Sequence, residues 1–252
     1  VIIIVHATYV TVIRPNAELI QEQQQLMQEQ NPDIVPERSV FIIVRDYEQE
    51  FCIIFFLWAV TIIGMKTQHT LRQRALLERT LVKLQDGMSI LPEDSRNYAR
   101  PVQALGPKEK EFLLPRALLA GLHRFQSTQN IHAVSSIIKD TCETEADRME
   151  TELSIVRYIA WAIPSIGFLG TVRGIGTALG QAYQAVAGDI AGVTQSLGVA
   201  FNSTFVALVV SIFLMFLLHQ LQLQQDRLVL DCQNYCDERL IRHMQVPEKA
   251  NS

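Results

Sequence analysis

Two stretches of the chain, 155–179 and 197–219, are predominantly apolar, and each carries a file of small residues at helical spacing. In the first, Ala160, Pro164, Gly167, Thr171, Gly174 and Ala178 recur at steps of three and four and fall on one side of a helix, while Phe168, Val172, Ile175 and Leu179 fall on another. In the second, Ser196, Ala200, Ser203, Ala207 and Ser211 form the equivalent file, with Asn202 and Thr204 beside it. At about 1.5 Å per residue the two stretches span roughly 33 to 38 Å, enough to cross a bilayer. Lipid offers no hydrophobic gradient that presses helices together. Small faces that let backbones approach, such as Gly170-x-x-x-Gly174, therefore predict two membrane helices packed through their small sides.

Two shorter apolar runs precede them. The run 51–65 covers about 22 Å as a helix, with Lys66 able to snorkel and Val40 to Val44 continuing the helix outward. The run 1–13 covers about 20 Å and is expected to be the remainder of a membrane helix whose start precedes Val1. Basic residues orient the set: Lys66, Arg72, Arg74, Arg79 and Lys83 follow the second run and Arg227, Arg239 and Arg242 follow the last, whereas the turn 180–196 has only Asp189. The loop 14–50 is mainly acidic (Glu18, Glu22, Glu29, Asp33, Glu37, Glu48, Glu50). The expectation is an all-α integral membrane protein with four transmembrane helices, the loops 14–50 and 180–196 outside, and both termini cytoplasmic.

The insert 66–154 is too long for a bare loop and is expected to fold as a cytoplasmic helical domain. Leu77, Leu81 and Leu84 mark one helix that Asp86-Gly87 ends, and Val134, Ile137, Ile138, Thr141, Cys142 and Met149 mark another. Ser89 to Pro107 is rich in turn formers, and Phe112 to Leu122, interrupted by Pro115, predicts a buried helix that is not a fifth span. Leu and Ile alternating with Gln, Asp and Arg after Leu218 predict that the last membrane helix continues as a helical tail over 220–252.

Composition narrows the function. Of 252 residues, 48% are hydrophobic and 19% charged, so part of the chain stands in water and part in lipid. A net charge of -4 with no basic cluster interleaved with aromatics argues against nucleic acid as a partner. Cys52, Cys142, Cys232 and Cys236 are too scattered for a disulfide framework and are expected as free thiols. Cys232, Cys236 and His243 share a helical face, but a zinc site wants a fourth ligand, so no metal is expected. Gly174-x-Gly176 with Gly180 follows no strand and is no nucleotide loop, and the six histidines are dispersed. The chain is expected to be neither an enzyme nor a cofactor carrier.

The candidate chemistry is therefore the hydroxyls and the one charge inside the helices. Thr171, Ser203 and Thr204 can each be satisfied by the carbonyl four residues back, or they can line a narrow polar path in which ions or waters exchange partners. Arg173 is costly in a membrane helix unless it is paired. It is expected to reach the outer interface, at lipid phosphate or Asp189, or else to act with Asn202 as a gate or partner contact.

Pro164, the segment Gly167-Phe-Leu-Gly170-Thr171-Val172-x-Gly174-Ile175, the short outer turn and Ala200-x-x-Ser-Thr204-x-x-Ala-Leu208 together resemble the MotA/TolQ/ExbB proton-channel family. The resemblance covers roughly Ser154 to Leu221. It implies a homo-oligomeric ring of five subunits in the bacterial inner membrane around a dimer of single-span partner chains, whose aspartate carries the ion. Ion flow then drives rotation or other mechanical work. It also implies that Pro164, Thr171 and Thr204 line the ion path, together with Gly167, Gly174, Ala200, Ser203 and Ala207. The four-helix plan with a large insert after the second helix is MotA-like and the Gly-Thr-Val wording is TolQ/ExbB-like, while Val199 stands where TolQ- and ExbB-like proteins carry a glutamate. The competing readings are a structural membrane scaffold that conducts nothing and a secondary transporter.

Overall fold

The computed structural model describes residues 1–30, 39–82, 88–188 and 190–246, apart from the side chains of residues 25 and 28–30. The expectations placed on Asp33, Glu37, Lys83, Leu84, Asp86, Gly87, Asp189 and the Glu29 side chain lie outside the described residues. Among the described residues every regular element is a helix, and the chain divides into two compact units. Unit one is Val1–Ile63 with Ile155–Leu218, and unit two is Gly64–Ser154 with His219–Ser252. Three helical stretches are long and apolar enough to cross a membrane: Tyr47–Leu77, Ile131–Gly180 and Ala191–His243.

Unit one begins with α1 (Ile2–Thr8), a π turn (Tyr9–Ile13) and α2 (Arg14–Gln30), joined without leaving helical backbone at Thr8 or Arg14. The first apolar run is thus helical, but its helix continues well beyond Ile13 into polar sequence and is not one of the three stretches. This corrects the expected loop from residue 14. Gln, Glu, Leu and Met are good helix formers, and no glycine interrupts Arg14–Gln30. The Arg14 N–H donates to the Tyr9 carbonyl, five residues back, just before Pro15. Proline brings no N–H and crowds the carbonyl four residues back, which a local π turn can absorb.

A four-residue helix, α3 (Val40–Ile43), ends at Val44, and α4 (Tyr47–Leu77) starts afresh after Asp46. Val40 to Val44 therefore do not extend α4, which instead runs beyond both ends of the expected 51–65. Unit one is completed by α9 (Ser154–Gly180), the short α10 (Ala182–Val186) and the first part of α11 (Ala191–Arg239). α11 runs on past Leu218 without a break as far as Arg239, where a helical tail over 220–252 is expected.

Unit two is built around α7 (Leu113–Thr128) and α8 (Ile131–Glu152). Pro115 falls in the first turn of α7, where its missing N–H leaves no carbonyl unpaired. Gln129 in the left-handed region ends α7, and Asn130 caps α8 by accepting from the N–H groups of His132 (2.9 Å) and Ala133 (3.3 Å). Leu118, Leu122, Phe125, Val134, Ile138 and Cys142 meet Cys232, Cys236 and Leu240 in one apolar core.

One expectation fails in unit two. Leu77 ends α4, so no separate helix starts there; Leu81 and Val82 are buried, and Tyr235 Oη accepts the Leu81 N–H at 3.0 Å. The turn-rich stretch from Ser89 contains a 3-10 turn (Pro92–Asp94), α5 (Ser95–Gln103) and the start of α6 (Pro107–Lys110). Pro92 and Pro107, which open the 3-10 turn and α6, fit a first helical turn as readily as a loop.

Candidate functional site

The small faces of α9 and α11 are packed against each other, antiparallel. A Cβ added at Gly167 would collide with Ala207 Cβ, one at Gly170 would lie 2.5 Å from Ser203 Cβ, and one at Gly174 would lie 2.8 Å from both Ala200 N and Ser196 O. Ala200, Ser203 and Ala207 are buried, as are the three glycines. Backbone thus touches backbone, which only residues without bulky side chains allow. Phe168, Val172 and Ile175 on α9 and Phe201, Phe205 and Ile212 on α11 are exposed.

Thr171 and Thr204 meet in this seam. Their hydroxyls hydrogen-bond each other, and each also reaches a carbonyl of the opposite helix: Thr171 Oγ1 that of Ala200 at 3.2 Å, and Thr204 Oγ1 that of Gly167 at 3.1 Å. These carbonyls lie four residues before the other threonine, so the bonding is crossed where it could have been local. Thr171 keeps its own local alternative, Gly167 O, at 3.4 Å. Each hydroxyl has one proton. The four oxygens therefore support two hydrogen-bond patterns: Thr171 to Thr204 to Gly167 O, or Thr204 to Thr171 to Ala200 O. Both threonines are half-buried, as are Pro164 and Asn202. Ser203 bonds locally to Val199 O at 3.0 Å.

The sequence reading missed the third wall of the site, the N-terminal end of α4. Gln49, fully buried, donates to Ser203 Oγ at 3.4 Å, and Cys52 Sγ lies 3.6 Å from Ile163 O. Glu48 approaches Gly170 so closely that a Cβ there would lie 3.3 Å from its Cγ. Arg173 forms a two-pronged pair with Glu48, at 2.6 and 2.9 Å, and its guanidinium is 3.9 Å from Asp46 Oδ1. Arg173 on α9 is thus paired with a carboxylate of the same chain on α4, whereas the expected partner Asp189 lies outside the described residues. Glu50 is held in turn by Arg14 at 2.5 Å and His6 at 2.7 Å. Burial pushes the Asp46 carboxyl above its ordinary range, against the pull of Arg45 and Arg173.

A signal for this wall existed in the sequence. Asp46-Tyr-Glu-Gln49 has the pattern of an N-cap with a glutamine three residues on, directly before an apolar run. Asn202 is not in the threonine seam. It lines an open hollow of about 540 Å³ with Gln21, Arg45 and Gln195.

All four cysteines are buried free thiols. Cys142 joins Cys232 and Cys236 in the core of unit two. Among the described residues no group of His, Cys, Asp and Glu is arranged to hold a metal ion.

Half of the chain, residues 109–234, matches the model of the MotA/TolQ/ExbB proton channel family. The matched range contains α9, both small faces and the threonine pair. No curated protein matches the chain.

Proposed function

The chain belongs to the MotA/TolQ/ExbB proton channel family, and from that premise we propose that it is the ion-conducting, stator-type subunit of a membrane motor. In this proposal five copies form a ring in the bacterial inner membrane around a dimer of single-span partner chains, and the ion-motive force becomes rotation or other mechanical work. Four helices span the membrane, the chain around residues 14–46 and the turn 180–196 face outward, and both termini and unit two face the cytoplasm.

The observation that carries the reading is the crossed threonine pair. Its two hydrogen-bond patterns have similar partners, so one hydroxyl proton or lone pair can be lent to an incoming carboxylate and taken back without leaving a buried group unpaired. A partner aspartate that loads and unloads a proton needs such a surface. Pro164, one turn before Gly167, gives no N–H to the Ala160 carbonyl and so frees that oxygen for an outside donor. Gly167, Gly174, Ala200, Ser203 and Ala207 bring the helices close enough for the pair to form. Arg173 and Asn202 border the path toward its outer end, Arg173 held in place by Glu48. The exposed apolar faces of α9 and α11 would meet lipid and neighbouring subunits.

One observation favours a second reading, a scaffold that conducts nothing: the glycine and alanine contacts account for both small faces as packing alone. Imaging of the purified complex separates the two. A five-fold ring enclosing two central helices is the expected result, and a ring or monomer with an empty or lipid-filled centre would overturn the motor reading.

A further inference from the structure

Three buried oxygens beside the N-terminal end of α4 have no hydrogen-bond partner: Tyr9 Oη, Asp46 Oδ2 and Gln49 Oε1. Tyr9 is 1% exposed and Gln49 0%. They gather around the first turn of α4: Asp46 and Gln49 flank its start, and Tyr9 packs with Ile54 and lies in sequence between His6 and Arg14, which both hold Glu50. Tyr9 opens the π turn, a local register shift of the kind often found at functional positions. Buried polar groups left unpaired are costly and call for a ligand.

The chemistry of the set selects that ligand. Two acceptors and one hydroxyl are satisfied by a single water that donates to Asp46 Oδ2 and Gln49 Oε1 and accepts from Tyr9. If Asp46 Oδ2 gains a proton, the same water accepts from both hydroxyls and still donates to Gln49. The arrangement is closed in either state.

Charge argues against a metal cation. Asp46 faces Arg45 and Arg173, each with a nitrogen 3.9 Å from Oδ1. Glu48 is paired with Arg173, and Glu50 with Arg14 and His6. Three arginines thus balance three carboxylates, and no surplus negative charge remains to hold a metal ion. A proton is different, because burial raises the Asp46 carboxyl and favours its neutral form.

We propose that Tyr9, Asp46 and Gln49 hold an ordered water, and that Asp46 with this water is a proton-acceptor site of the chain. Hydronium gives its proton to Asp46 Oδ2, the carboxylate becomes a carboxylic acid, and the water left behind stays in the site. Gln49 also donates to Ser203, the neighbour of Thr204, so the state of the site is felt at the threonine seam. Its place on the ion path rests on the proposed function; its occupancy does not.

Infrared difference spectra of the full chain in lipid vesicles, taken between high and low pH, test the site. The expected result is a titrating carboxylic-acid band that is lost in Asp46→Asn and shifted in Tyr9→Phe. An isolated water O–H band that moves in H2(18)O should be lost in both Tyr9→Phe and Gln49→Leu. A band that survives Asp46→Asn, or water bands unmoved by Tyr9→Phe, would overturn it. Protection of Cys52 from maleimide shows that each variant is folded. Bands present in a wild type without ion flux would remove the ion-path reading and leave the site standing, whereas flux without these bands would do the reverse.

Discussion

Glycine is used at a helix contact in both units, against different neighbours. In unit one a Cβ at Gly174 would press on the backbone of α11, at Ala200 N and Ser196 O. In unit two a Cβ at Gly121 would meet only the ends of side chains, Ile138 Cδ1 at 2.9 Å and Leu240 Cδ2 at 3.2 Å. The first contact is backbone on backbone, with hydroxyls bonding across it; the second is one detail of an aliphatic core that holds by volume. In the proposed arrangement, with unit one in lipid and unit two in water, the contrast follows from the surroundings. Water drives burial of large side chains, while in lipid association rests on close approach and interhelical hydrogen bonds. Unit two should therefore be most sensitive to losing atoms and unit one to gaining them.

The cysteines let each unit be read separately, since Cys52 is buried in unit one and Cys142, Cys232 and Cys236 in unit two. The largest expected effect is Phe125→Ala, where a fully buried ring is removed at a cost of about 3–5 kcal/mol. Maleimide labelling of the unit-two thiols should rise by more than about a hundredfold while Cys52 stays protected. Equal exposure of all four thiols would mean that the units do not open separately.

Gly174→Val is the converse, at about 1–3 kcal/mol or more because a backbone cannot move aside as a side chain can. It should expose Cys52 and spare the unit-two thiols. Gly176→Ala, with open space around it, should leave both protected. Gly121→Ala should cost less than Gly174→Ala, and the reverse order would break the comparison.

Smallest is Arg173→Gln. Arg173 is half-exposed, so its pair with Glu48 is worth about 0–1 kcal/mol to stability, and melting should shift little. Glu48→Gln on top of it should add almost nothing.

The seam was legible in the sequence because small residues at steps of three and four survive folding as a face, and α9 carries that period over 160–178 and α11 over 196–211. The polar helix Arg14–Gln30 was not, since it lacks an apolar face long enough to stand out from a loop. Glu48 and Glu50 were misplaced for a related reason. Charges before an apolar run look like loop, and only the fold brings Arg173, Arg14 and His6 from distant positions to neutralise them. Cys142 joined Cys232 and Cys236 because core packing, and not sequence spacing, decides which thiols meet.

The central claim is that the crossed hydroxyls conduct, and ion flux tests it most directly. Vesicles containing this chain with the proposed single-span partner are given an ion-motive force, and the internal pH change is followed for wild type, Thr204→Val and Pro164→Leu. Valine keeps the shape of threonine and removes its hydroxyl, at a cost of only about 1 kcal/mol per hydrogen bond. The account predicts that both variants assemble as the wild type does and that the pH change is lost. Flux unaltered in assembled Thr204→Val complexes would contradict it.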